Sequence, residues 1–441
     1  MDLRQLLDEM RKAGYLVTIS RPVDPRYEMA RVIAALDGRP VLFTQVRGSV
    51  YPVVAGLCSD RRYFALALGD SVERLMFRLA DALAHPVKPP VVAEAPCQEV
   101  IEDEVNLETI PFLTHWPGDA GPYATAAVAI ISDPDTGPNA SYHRLLRLDR
   151  RRCVARIVER RGTDTAWRKS TGDLPVAICI GLPLHVLLAA SMSPPPGVDE
   201  MAIAHALCPT PLVRCRTVPL YVPAAAEFVL EGRITHRTAA EGPFVDLTGT
   251  WDLVRDQPIV EIDCITHRRE AIYQALLPGL LEHRLLMGMP REPTIYAAVN
   301  EVCRCRMVHI TPGGASWLHA VVQIEKRAPD DGHKAIAAAF RGHGSLKHVV
   351  VVDDDINPFD PQEVEWAIAT RVQATRDLVI LPDQPGSSLD PSGLHVPGQK
   401  SRTDKVGIDA TIPWDTPQGP SQPAAFRRVP LEPLDVQPYL A

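Results

Sequence analysis

Two acids set across a glycine–proline bend, Glu241-Gly242-Pro243-Phe244-Val245-Asp246, are the pair in this chain best spaced to do chemistry. Gly242 and Pro243 turn the backbone, so both carboxyls can converge on one small site. Paired acids in unlike surroundings divide labour, one staying ionised while the other carries a transferable proton. A polar loop with two solvated acids would read the same way, so the pair gains weight only from its company. Asn139-Ala140-Ser141-Tyr142-His143-Arg144 sets an amide, a hydroxyl and a guanidinium on one extended stretch, where alternate side chains share a face. Ser191-Met192-Ser193-Pro194-Pro195-Pro196-Gly197-Val198-Asp199-Glu200 is a turn that delivers an acid to a helix start, and Lys405-Val406-Gly407-Ile408-Asp409-Ala410-Thr411 closes the set.

A second anion grip is legible further on. His283 and Arg291 stand about two helical turns apart, near one face of a continuous helix, with Pro290 able to bend it. As two cationic donors they would hold a carboxylate. The plainer alternative has Arg291 capping the helix end and His283 at the surface. Glu227 and Glu231 precede Gly232 and read as strand supports, and His115 reads as a residue near the entrance of the β-rich region.

The elements that must position these groups fall into three stretches. Residues 1–95 alternate helix and strand: leucines at helical spacing over 2–13, a strand at Tyr15–Ile19, a helix near Tyr27–Leu36, a strand at Pro40–Phe43, and a helix from Asp60 through Ala84. Residues 96–297 carry short β-branched runs at Thr125–Ile131, Cys153–Val158, Val176–Ile180, Leu212–Val218 and Ile259–Ile265, the texture of a barrel or sandwich. A helix at Leu184–Ala190 and a long one over Leu276–Leu286 interrupt and leave this region. Residues 298–441 return to α/β, with strands at Ser316–Lys326 and His348–Val352, helices at Gly332–Phe340 and Pro361–Arg371, and a loop over Pro382–Thr403. Asp353-Asp354-Asp355 at a strand end could hold a metal, but a cap or a solvated turn is the commoner use.

At 441 residues the chain exceeds one ordinary core. A net charge of −8 argues against a nucleic-acid partner, although the arginines from Arg144 to Arg161 form a local basic run that suits an anionic ligand. No stretch is long and apolar enough to span a bilayer, and the N-terminus has no secretory core. Nine scattered cysteines without a zinc spacing fit the reduced thiols of a cytoplasmic protein.

Taken in order, the Asn139–Arg144, Ser191–Glu200, Pro223–Gly232, Glu241–Asp246 and Lys405–Thr411 motifs resemble the UbiD family of reversible decarboxylases, over nearly the whole chain. The resemblance implies an N-terminal α/β domain, a central split β-barrel similar to flavin reductases, and a C-terminal α/β domain joined by a long helix. It implies prenylated FMN, supplied by a flavin prenyltransferase, with a divalent ion (Mn2+ or Mg2+) and K+ at its phosphate. It makes Arg144, Glu241 and Asp246 the catalytic trio, Asn139 and Glu200 metal ligands, and Ser141, Tyr142, His143, Arg160, Ser191, Met192 and Lys405 cofactor contacts. The family's third metal ligand is a histidine; Arg160 stands in its place here, so either Arg160 meets the phosphate or Glu159 substitutes as ligand. Arg144 beside Glu241 would keep that carboxylate charged, leaving Asp246 to carry the proton. His283 and Arg291, with the short chain, resemble the HmfF type, which converts furan-2,5-dicarboxylate to 2-furoate. Relatives acting on pyrrole-, indole- or phenazine-carboxylates are the alternative, and a flavin reductase-like protein or a non-catalytic carboxylase subunit lies outside the family. The resemblance also implies a homodimer or homohexamer, with the apolar tail Val429–Leu440 available for assembly.

Overall fold

The computed structural model describes residues 1–396, 399–417, 419, 420, 422–429, 434, 435 and 437–440. They form two compact units. The first holds Met1–Thr294 with Pro312–Leu318 and Ser388–Ser392; the second holds the remainder from Ile295.

The first unit begins with the Leu3–Lys12 helix, whose Asp2 and Gln5 form a reciprocal cap and whose Leu3, Leu6, Leu7 and Met10 are buried. The anticipated single helix from Asp60 to Ala84 is two, Arg61–Leu68 and Leu75–Ala84. Gly69 takes φ +64° and ends the first, a conformation other residues rarely adopt. Strands Val17–Ile19, Val41–Phe43, Val53–Ala55 and Tyr273–Gln274 make a four-stranded sheet.

Nine strands form the central sheet. In spatial order the path runs Tyr123–Ala124, Leu145–Arg147, Arg152–Ala155, Arg255–His267, Phe228–Glu241, Leu174–Ile180, Val128–Asp133 and Gly137–Tyr142, with Val100–Ile101 added to Arg255–His267. The two ends of the path do not pair, so the described strands make an open, split barrel rather than a closed one. Its spine is the antiparallel pair 228–241 and 255–267. Gly232 sits at one of the register shifts of that pair, where a Cβ would lie 1.9 Å from the Glu261 carbonyl oxygen. Leu212–Arg214 is outside this sheet, in a three-stranded one with Tyr221–Pro223 and Val91–Val92. One apolar core runs from Leu3 and Phe64 through Val128 and Cys179 to Leu187 and Met201.

The helix anticipated over Leu276–Leu286 starts later, as Leu281–Gly288, and is followed by a 3-10 turn Met289–Arg291 and a further helix Glu292–Asn300 that continues past a break. Pro290, with no N–H to give, explains the break.

In the second unit, His319–Glu325, His348–Asp353 and Arg402–Asp409 run parallel, flanked by antiparallel Arg304–Ile310 and Leu378–Pro385. Leu378–Pro385 extends into the stretch read as loop. Arg371, buried, bonds Asp353 at 3.2 Å and Asp355 at 2.7 Å, which makes the acid run a structural clamp on the Pro361–Arg371 helix. The nine cysteines are all free. The 429–440 tail falls partly outside the described residues.

Candidate active site

Arg144 lies in the chain between the edge strand Gly137–Tyr142 and the inner strand Leu145–Arg147, and its guanidinium is almost wholly enclosed. A guanidinium presents five donors in a fixed fork, and here three carboxylates share them. Nε and Nη2 each donate to Glu241 at 2.8 Å, a bidentate pair. Nη1 donates to Asp246 at 2.7 Å and Nη2 also to Asp252 at 2.9 Å. Burial opposes the charge on Arg144, but Glu241, Asp246 and Asp252 outweigh it and raise its pKa. The Phe244 ring lies 4.4 Å from the guanidinium carbon, closing one face.

The bend does what its residues predict. Glu241 ends a fourteen-residue strand, Gly242 takes φ +96°, and Phe244–Val245 then pairs with Trp251–Asp252 as a small hairpin. That hairpin sets Asp252 opposite Phe244, and so beside Arg144. Glu241 is sealed, with 0% of its side chain exposed, whereas Asp246 keeps 19%. The two acids therefore differ in access: Glu241 is closed in by Arg144 and Tyr123, and Asp246 is the more exposed of the two.

Two members of this cluster were not foreseen. Tyr123, buried, donates its hydroxyl to Glu241 Oε1 at 3.1 Å, and burial followed by Glu241 raises its phenol pKa so that it stays a donor. Asp252 also accepts from Arg255 Nη1 at 2.7 Å and lies 4.0 Å from Arg156 Nε. Burial alone would raise its pKa, yet Arg144 and Arg255 hold the carboxyl below its ordinary range. Both partnerships come from strand register, for which no local motif exists.

His283 and Arg291 have separate surroundings. His283 Nδ1 accepts from the Gly279 N–H at 3.2 Å, which leaves the ring proton on Nε2. Burial lowers its pKa against the opposing pull of Asp246, so it is a neutral donor facing the acid cluster, not a cation. Arg291 is deeply buried, donates Nη2 to the Ser191 carbonyl at 3.2 Å and lies 5.5 Å from the Trp317 ring. Its Nε has no partner, and no carboxylate pairs with it among the described residues. Burial and then Arg161 lower its pKa to about 10.

Asn139 and Glu200 do meet. Asn139 Nδ2 donates to Glu200 Oε1 at 3.1 Å, and the Ala140 N–H to Oε2 at 2.9 Å. Burial raises the Glu200 carboxyl to about 7. Thr163, at the start of the Gly162–Lys169 helix, joins them: its hydroxyl is 3.1 Å from Ser141 Oγ and 2.9 Å from His143 Nε2. His143 Nδ1 faces the Arg156 carbonyl at 3.0 Å and so carries the proton, and burial lowers the ring to about 4. Gly162 packs on Asn139, since a Cβ there would lie 2.9 Å from Oδ1. The Tyr142 hydroxyl is buried without a partner.

Arg160 takes φ +62° and its N–H bonds Asp164 at 2.8 Å; exposed Glu159 pairs with Arg156 at 3.4 Å. Ser191 Oγ is spent on the Leu187 and Leu188 carbonyls, beside buried Met192. Lys405, in the second unit, donates to the Gly344 carbonyl at 2.7 Å, and burial lowers it to about 8. His115 is buried edge-on to Phe244 at 6.3 Å. Glu227 and Glu231 accept from Arg4 and from the Arg216 and Thr217 N–H groups, as supports do. No three His, Cys, Asp or Glu among the described residues are grouped to hold a metal.

Family models match in three consecutive pieces. The N-terminal domain of 3-octaprenyl-4-hydroxybenzoate carboxy-lyase matches residues 7–83, its Rift-related domain 90–281 and its C-terminal domain 284–410. Anhydromevalonate phosphate decarboxylase of Methanothermobacter thermautotrophicus is 41% identical, covering 93% of this chain and 97% of its own. That of Methanosarcina mazei is 42% identical over 93% and 96%. The UbiD-class enzyme HmfF from Pelotomaculum thermopropionicum, solved with FMN, superposes with a TM-score of 0.91 at 39% identity, covering 100% of this chain and 98% of its own. Similarity of this extent, in sequence and in structure, establishes that the chain belongs to the UbiD family of carboxy-lyases.

Proposed function

We propose that this carboxy-lyase carries out reversible, non-oxidative decarboxylation of an unsaturated acid that bears a second anionic group, using prenylated FMN. The single observation that carries the reading is the sharing of Arg144 between sealed Glu241 and open Asp246. Loss of carbon dioxide leaves an electron pair on carbon, and that carbon must receive a proton. Asp246 is the acid with access to deliver it, and water can restore it. Glu241 and Tyr123 stay in place and hold the guanidinium against the reacting centre.

The residues fit the cofactor chemistry. The strand 137–142 carries the unpartnered Tyr142 hydroxyl, and the Asn139, Ser141 and Thr163 side chains gather at a helix start, where backbone N–H groups favour a phosphate. Asn139 Oδ1 and Glu200 would hold a hard divalent ion, Mn2+ or Mg2+, beside that phosphate, with its own oxygens and water completing the shell. When bound, prenylated FMN supplies the electron sink that lets carbon dioxide depart. The FMN and prenylated-FMN complexes of HmfF support this choice. Arg160, Met192 and K+ complete the contacts proposed around that group.

The second anion rests on Arg291. A buried guanidinium with no acid beside it is costly unless a ligand supplies the charge. Two acids meet the description. Furan-2,5-dicarboxylate follows from the HmfF likeness, and anhydromevalonate phosphate from relatives of that name at 38–43% identity. The test is a panel of these two with 2-furoate and other heteroaromatic monoacids, on protein co-expressed with a flavin prenyltransferase. One dianion should be turned over at least tenfold faster than every monoacid, given what a charge-assisted contact contributes. Equal turnover of the monoacids contradicts the second-anion reading. Arg291→Met should raise KM for the dianion and leave the monoacids alone.

A further inference from the structure

Arg144 has one acid more than the catalytic trio requires. Asp252 takes a hydrogen bond from Nη2 at 2.9 Å, the same nitrogen that serves Glu241 Oε2. It sits on the hairpin strand that leaves the catalytic bend, directly opposite Phe244. Its other oxygen is gripped by Arg255 at 2.7 Å, and Arg156 lies 4.0 Å away. With two further cations around it and only 8% of its side chain exposed, Asp252 is an anion at every stage. Asp246 differs: among the described residues its Oδ2 faces Arg144, its Oδ1 accepts its own neighbour's N–H at 2.6 Å, and neutral His283 also faces it.

An acid that gives up and regains a proton breaks and remakes its ion pair with Arg144 once per turnover. Were Glu241 the sole remaining partner, Nη2 would lack its bond to Asp252 throughout and Nη1 would lose its charge-assisted bond each time Asp246 took its proton, and a guanidinium so released can rotate. We propose, resting on the reading of Asp246 above, that Asp252 is a positioning residue for Arg144: a permanent counter-ion that keeps the guanidinium in register with Glu241 while Asp246 passes between its protonated and ionised forms. Removing its charge concentrates the attraction of Arg144 on Asp246 and makes the protonated form of Asp246 scarcer.

The test is the pH profile of kcat for Asp252→Asn in the flavin-loaded enzyme, with the substrate that the panel identifies. The limb where activity falls with rising pH should move about one pH unit lower, because a group that must be protonated is held more firmly as its anion. At pH 7.5 kcat should drop roughly tenfold with KM nearly unchanged, and the solvent deuterium isotope effect should grow as proton delivery limits the rate. Asp252→Glu, which restores a carboxylate, should recover the profile. Asp252→Ser provides the same readout should the asparagine variant not accumulate. An unmoved limb with an unmoved isotope effect overturns the proposal, as does a loss of flavin content and thermal stability with the profile intact. Asp246→Asn separates the two levels. If it keeps the wild-type profile, the reading of Asp246 falls and the proposal with it; if it loses the profile while Asp252→Asn keeps it, the proposal alone falls.

Discussion

Arg144 is the residue on which the site turns, because one planar fork satisfies acids that come from a strand end, a bend and a hairpin. A lysine offers a point charge with no such geometry. Arg144→Lys should therefore cut kcat by roughly 100-fold or more, the scale of losing an oriented charge contact in a closed site. Retained flavin with unchanged kcat would refute that role. Tyr123→Phe is a milder test: Glu241 loses one of three donors, and kcat should fall several-fold, in keeping with one hydrogen bond to a charged group. At this scale the sequence was informative where partners lie close along the chain. Glu241 and Asp246 could be paired across a visible bend, and Asn139 with Glu200 through the family likeness. Tyr123 and Asp252 could not, because a two-residue edge strand and a hairpin register bring them in, and neither leaves a motif. The protonation of His283 is hidden from the sequence for a related reason. Its neutrality follows from burial and from the Gly279 N–H on Nδ1, both products of the fold.

The Leu281–Gly288 helix shows how an element can fix a side chain. Three consecutive residues at its start bind three different places: Glu282 accepts from the Gly56 N–H at 2.9 Å, His283 accepts from Gly279, and Arg284 Nε donates to the Leu247 carbonyl at 3.3 Å. Successive helical residues point about 100° apart, so anchors on either side of His283 set the rotation of the helix. Among the described residues no cation pairs with Glu282, and burial raises its carboxyl to about 7. An unfolded chain would release that proton near the ordinary value of 4.5, so between 4.5 and about 7 only the folded state still holds it. This contribution to stability is whole at low pH and lost as pH rises to about 7. The Tm of the wild type should accordingly fall relative to Glu282→Gln as pH is raised from about 5 to about 7. A constant gap between the two would contradict the assignment. The helices are legible from leucine spacing and the bend from Pro290, which has no N–H to give, but the break at Gly69 is not, because a glycine alone does not say whether it takes a left-handed turn.

For the whole molecule, the alternation of α/β, all-β and α/β stretches was plain from periodicity, and the open central sheet bears out the split barrel. The Leu212–Arg214 strand reads like the barrel strands yet belongs elsewhere, since β-branched runs do not encode their sheet. The long strands 228–241 and 255–267 carry the Glu241–Asp246 bend between them, so the core of the first unit and the proposed site share one spine. Loading is a property of this scale. Protein made with a flavin prenyltransferase should carry prenylated FMN by mass spectrometry and be active, whereas protein made without one should be at least 100-fold less active, since the cofactor supplies the difficult step. Equal activity from both would exclude the modified flavin as the working group.

The central claim is that Asp246, held by Arg144 opposite Glu241, delivers the proton that replaces the lost carboxylate. Running the loaded enzyme in D2O with furan-2,5-dicarboxylate and anhydromevalonate phosphate, and following the product by NMR, tests it directly. One deuterium should enter at the vacated carbon for each carbon dioxide released, and Asp246→Asn should abolish both together. Release and labelling that continue unchanged in Asp246→Asn, or no release from either acid, would contradict it.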